Sequence, residues 1–160
     1  MTSRLLLMEL TALVRRAVAG YSFPAPEGGQ RDARVFLHGL PEESGDAVYP
    51  FVLVRWVEGE VSSEADHKVA LGDTVGLALG VHSPHSQEEA GLLTADLLDC
   101  LRRAIWRQRL LAGRFELVEP LKASIPVPKQ RWHTYHMATL ETVWNYNWPP
   151  KGLAELNNME

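Results

Sequence analysis

Apolar residues near the start of the chain recur at Leu6, Leu10, Leu13, Val14 and Ala17, a spacing that lines one face of a helix. Ser3 stands where an N-cap belongs and Gly20 where the chain can leave the helix, while Glu9, Arg15 and Arg16 fall off the apolar stripe. Pro24, Pro26, Gly28 and Gly29 then predict an extended loop over Phe23 to Ala33. Ala33 to His38 reads as a short strand and Gly39 to Asp46 as an acidic loop. Tyr49 to Val57 (YPFVLVRWV) is rich in β-branched and aromatic residues and reads as a second strand, with Pro50 tolerated near its start. Glu58 to Lys68 is a second acidic connection.

The sharpest pattern lies over Asp73 to His82. Val75, Leu77, Leu79 and Val81 point one way and Gly76, Ala78, Gly80 and His82 the other, which is the period of a strand with one large apolar face and one small-residue face. A helix packed on the small face is the ordinary reason for such a face. A long helix follows from Gln87 to Leu111, capped by Ser86, with Glu88 and Glu89 in its first turn and Leu97, Leu98, Leu101, Ala104 and Ile105 as its buried stripe. Gly113 ends it. Arg114 to Val118 reads as a short strand. Glu119 to Lys129, with Pro120, Pro126 and Pro128, reads as a stiff loop or edge segment, and Trp132 to Tyr146 as a final long strand.

The order is helix, three strands, helix, two strands, an α+β domain over residues 1–148 with a C-terminal tail at 149–160. The connections among the first three strands are too short for crossover helices, so the expected sheet is single and mostly antiparallel, flanked by two main helices.

Composition narrows the function. A chain of 160 residues, 46% hydrophobic and 22% charged, is long enough to bury one core. A net charge of -4 speaks against a protein that lives on nucleic-acid phosphates. The single cysteine, Cys100, excludes an intrachain disulfide, fits a reducing cytoplasm, and reads as a small packed side chain within the long helix. Leu5 to Leu7 is soon interrupted by Glu9 and Arg15-Arg16, so neither a membrane span nor a signal peptide is expected.

No phosphate loop, dinucleotide fingerprint, nucleophile elbow or paired Cys-x-x-Cys occurs. His82 and His85, and His133 and His136, have H-x-x-H spacing, and His67 sits among Glu64 and Asp66. His82 and His85 span a strand end and a turn, and residues three apart on a strand point to opposite faces, so neither pair has metal-site geometry. A metal-dependent or acid/base enzyme on His82, His85 or His133 is the alternative from another class. Catalytic, cofactor and metal residues are otherwise expected to be none. Arg102, Arg103, Arg107 and Arg109 could neutralise phosphates, which keeps a nucleic-acid module as a third reading. Asp99, three and four residues before Arg102 and Arg103, points instead to local ion pairs on a solvated or protein-contacting face.

The aromatic residues carry more. Trp106 lies about 140° around the helix from Leu101, and Leu110 also lies on the far side, both among charges. They read either as an interface hot spot or as residues covered by another part of the same chain. Trp144, Tyr146 and Trp148 share one side of the last strand, an aromatic edge able to dock on its own chain or on another. The candidate subunit-interface set is Arg102, Arg103, Trp106, Arg107, Leu110, Trp144 and Trp148.

Taken with this order of elements, the segments LLLMELTALVRRAV, YPFVLVRWVEGE, TVGLALGVHS, EEAGLLTADLLDCLRRAIWRQRLL and YHMATLETVWNY resemble the tail terminator (tail completion) proteins of long-tailed bacteriophages and prophages, over about residues 5–148. The resemblance implies a non-enzymatic virion assembly protein, without cofactors, that forms a homo-oligomeric ring, a hexamer. It implies that the ring caps the tail tube, ends its polymerisation and presents the head-joining surface. The partners it implies are the chain itself, a tail tube protein and a head–tail connector protein, with no membrane and no direct nucleic-acid recognition. The implied setting is the host cytoplasm during assembly, then the virion tail. Other head–tail joining and tail tube proteins share parts of this pattern. A head-to-tail ring needs two different complementary faces. Arg102, Arg103 and Arg107 against Glu42-Glu43-Asp46 or Glu58-Glu60-Glu64 of the next subunit are the expected charge partners.

Overall fold

The computed structural model describes residues 2–42, 45–63, 69–125 and 135–147. Helix α1 (Thr2–Val18) is followed by strands β1 (Ser22–Pro24), β2 (Gln30–Asp32) and β3 (Arg34–Leu37) and a 3-10 turn at Gly45–Val48. Two long strands, β4 (Phe51–Ser63) and β5 (Val69–His82), lead to helix α2 (Gln87–Arg107). The chain ends its described course in β6 (Leu110–Leu111), β7 (Phe115–Ser124) and β8 (Tyr135–Asn147). The architecture is α+β: two helices, a mixed six-stranded sheet ordered β3-β4-β5-β8-β7-β6, and a small sheet of β1 and β2.

Both helices pack on the same face of the sheet, α2 over β5 and β8 and α1 beside it over β3 and β4. Leu6, Leu10, Leu13 and Val14 of α1 and Leu97, Leu101 and Ile105 of α2 bury against Val75, Leu77, Leu79 and Val81, as the 3.6- and 2-residue periods require. Ser86 caps α2, its hydroxyl accepting from the Glu89 amide at 3.1 Å.

The opposite, small-residue face of β5 is therefore not a helix seat. It admits the rings of its sheet neighbour instead: a Cβ on Gly80 would lie 2.5 Å from both the Phe51 and the Tyr49 rings. Those rings pack edge to face with centroids 5.1 Å apart, and Tyr49 meets Tyr135 at 4.8 Å.

Four further expectations change. β3 pairs with β4 in parallel, Arg34 opposite Phe51 and Leu37 opposite Val54, because residues 38–50 are just long enough to carry the chain back to the same end of the sheet. The loop over Phe23 to Ala33 contains an antiparallel hairpin, β1 with β2, tied down where Arg31 donates to the carbonyls of Ala47 and Tyr49. Helix α2 stops at Arg107, since Gln108 leaves the helix and Leu110–Leu111 pair with β7 across a turn whose Gly113 has φ +69°. β7 runs on past Pro120 to Ser124, with its register to β8 shifted between Val118 and Lys122.

Candidate functional site

Strand β8 crosses the middle of the sheet, and its alternation sends Leu140, Thr142, Trp144 and Tyr146 toward the helices. Trp144 is fully buried. Its Nε1–H donates to the Thr142 hydroxyl at 2.8 Å, and that hydroxyl donates to the Val75 carbonyl at 2.8 Å. A side chain so enclosed offers nothing to another subunit, so Trp144 is a core residue and leaves the interface set. The period placed Trp144 and Tyr146 on one face correctly; that face is the one the helices cover. Trp148, His67, His133 and Glu64 lie outside the described residues.

Tyr146 stacks edge to face on Phe115 and donates to the buried carboxylate of Asp73 at 2.8 Å, with Ser3 of α1 at 3.2 Å. Burial first, then the hydrogen bond and charge of Asp73, push the Tyr146 hydroxyl up to about 12. A pKa raised on folding contributes stability that is complete below the ordinary tyrosine value of about 10 and is lost as pH rises through about 12. Denaturant midpoints measured from pH 9 to 12 should fall over that window. Tyr146→Phe should be less stable at pH 9 by about 1–3 kcal/mol, because Asp73 loses its buried donor, and should show a flatter decline above pH 10. An equal decline in both proteins would contradict the pairing.

Among the described residues the histidines do not converge. His82 is buried and packs on Tyr135, its ring centroid 4.8 Å away, whereas His85 is exposed in the turn before α2. His136 faces α2, 3.5 Å from where a Cβ on Gly91 would stand, and desolvation lowers its pKa. Among the described residues no three His, Cys, Asp or Glu side chains group as metal ligands. The Cys100 thiol donates to the Ala17 carbonyl at 3.2 Å, and burial raises its pKa, which favours the unreactive thiol.

The basic face of α2 divides in two. Asp99 pairs with Arg103 at 2.6 Å and with Arg102 at 3.5 Å, the local ion pairs their spacing implies. Arg103 and Arg107 border a hollow toward α1 and β1 that also holds Tyr21, Asp96 and Cys100. Arg102 turns the other way and borders Leu121 and Lys122 of β7. Trp106 is 41% exposed with the Arg109 guanidinium 5.0 Å from its ring, and Leu110, 58% exposed, borders Glu116, Leu117 and Glu119 on the same β7 side. The described parts of the chain thus leave Trp106 and Leu110 open.

At the other side of the sheet a second exposed apolar group forms. Trp56 of β4, Met8 of α1 and Leu37 of β3 are exposed and border one hollow with Arg4, His38 and the edge of the buried Leu7. Glu58 and Glu60, both exposed, project from the opposite face of β4. This group escaped the sequence reading because Trp56 follows directly on a strand segment whose Phe51, Val52 and Val54 are core. Its one signal is a tryptophan two residues ahead of Glu58 and Glu60.

Among the described residues no helix is long and apolar enough to cross a membrane. No protein-family model matches the chain, and no curated protein sequence matches it either.

Proposed function

We propose that this chain is a structural, non-enzymatic subunit of a phage or prophage tail, acting as a tail terminator. In this reading copies of the chain close into a hexameric ring on the end of the tail tube, stop its growth and offer the surface that meets the head–tail connector. It assembles in the host cytoplasm and ends in the virion tail. The observation that carries the binding role is the pair of open apolar groups on opposite flanks of one sheet, Trp106 with Leu110 and Trp56 with Met8. An exposed tryptophan rimmed by charges suits a protein contact better than solvent. Two different flanks suit head-to-tail closure. The place at the tail end rests on the resemblance in the order and pattern of the elements.

Electron micrographs of particles assembled without this chain test the capping role. Tubes of uneven and excess length are expected, and reintroducing the chain restores a uniform length. Tubes of normal length in its absence contradict it.

A further inference from the structure

Helix α2 carries a second pattern on the side that the core does not use. At about 100° per residue, Leu92, Asp96, Asp99, Arg103, Trp106 and Arg107 fall within roughly 100° of arc, opposite the buried stripe of Leu97, Leu101 and Ile105. The stripe is open at both ends: Leu92 is 63% exposed and Trp106 41%. Asp96, Arg103 and Arg107 between and beside them are exposed too. From the N-terminal end the order is apolar, acid, acid, base, apolar, base, so the sign changes between Asp99 and Arg103. Local pairing accounts for part of this, since Asp99 holds Arg103 and Arg102. Among the described residues no ion pair takes up Asp96 or Arg107. A solvated charge ladder also gives no reason for an exposed leucine and an exposed tryptophan toward its two ends.

We infer that two copies of this chain pair through α2, helix against helix and antiparallel, about a two-fold axis at the level of Leu101. A stripe that is acidic in one half and basic in the other is complementary to its own reverse, which an isologous contact requires. With the axis at Leu101, Asp99 of each copy stands level with Arg103 of the other. Asp96 then stands within one residue, about 1.5 Å, of the level of Arg107. Leu92 of each copy comes within about 6 Å along the helix of Trp106 of the other, so an apolar contact closes off each end of the charged centre. A parallel pair would set Asp99 against Asp99 and Arg103 against Arg103, and like charges oppose it.

The pair also bears on assembly, and here the inference rests on the ring reading. Trp106 is an anchor of the head-to-tail contact, and the pair covers it. A copy held in such a pair cannot offer that flank to a ring, so pairing restrains free chains from closing rings before they reach a tube end.

Sedimentation velocity on the full chain and two double variants tests this. Asp96→Arg with Asp99→Arg makes the stripe basic throughout, and Arg103→Asp with Arg107→Asp makes it acidic throughout. All four positions lie outside the core, so circular dichroism should match the parent. Each variant alone should form two-chain species at least about tenfold more weakly than the parent, and an equimolar mixture should regain the parent strength or exceed it. Pairing of the parent should weaken severalfold as salt rises from about 0.05 to about 0.5 M. Leu92→Ala, outside both flanks of the ring contact, should weaken pairing by about fivefold. A mixture no stronger than its separate components would overturn the antiparallel pair. The basic variant associating as tightly as the parent, into species larger than two chains, would overturn the pair and leave the ring reading standing. A parent chain that keeps the mass of one chain at every concentration would overturn both.

Discussion

Trp144→Ala should destabilise the folded chain by about 3–5 kcal/mol, the range for deleting a large aromatic side chain from a packed core. The indole is fully buried, and its removal also strips the Thr142 hydroxyl of its donor. Against a total stability of about 5–15 kcal/mol the change removes a large fraction, and a fall in Tm on the order of 10 °C is expected for a domain of this size. Thermal unfolding followed by circular dichroism measures it. The result separates two roles that one residue cannot share. A core tryptophan lowers Tm; an interface tryptophan would leave the Tm of the dilute monomer unchanged and weaken association instead. Trp144→Phe, which keeps most of the volume and loses the N–H, should fall between the parent and the alanine variant.

Trp106→Ala should do the reverse. The ring is 41% exposed, with the Arg109 guanidinium 5.0 Å from its centre. Its loss should leave the stability of the isolated chain within about 0.5 kcal/mol of the parent. If Trp106 anchors the contact with a neighbouring copy, association should weaken by about 2 kcal/mol, roughly thirtyfold in the dissociation constant. Sedimentation velocity over a concentration series reads both the mass and the constant. Trp56→Ala on the opposite flank should have an effect of the same kind, since each interface contains one flank of each sort. Unchanged association in both variants would remove the two tryptophans from the contact.

The sequence pattern showed most of the fold because the core is built from strong periods. Leu6, Leu10, Leu13 and Val14 for α1, and Val75, Leu77, Leu79 and Val81 for β5, are buried on the faces their spacing defines. What the pattern left open was relational. Alternation put Trp144 and Tyr146 on one side of β8, but it could not say that both helices would lie on that side. The parallel pairing of β3 with β4 depends on how residues 38–50 travel, which neither residue preference nor periodicity records. Pro120 and its neighbours looked like the end of a strand, yet β7 continues through a shift in register that keeps Lys122 opposite Glu141. The candidate site was half visible. Trp106 and Leu110 stood out as apolar residues on a charged helix face, and they are exposed. Their counterparts in the proposed contact, Trp56 and Met8, come from separate elements that only the folded sheet edge brings together. The division of Arg102 from Arg103 and Arg107 also needed the neighbours on either side of α2, because all three share its solvent-facing half.

The mass of the chain in solution, by light scattering or sedimentation equilibrium from low to high micromolar concentration, tests the central claim that its open flanks bind copies of itself. The account predicts growth from the 17.9 kDa chain toward a closed species of about six copies, the count the resemblance implies, and a shift of that growth to higher concentration in Trp106→Ala. A mass of 17.9 kDa at every concentration, the same for parent and variant, would contradict it.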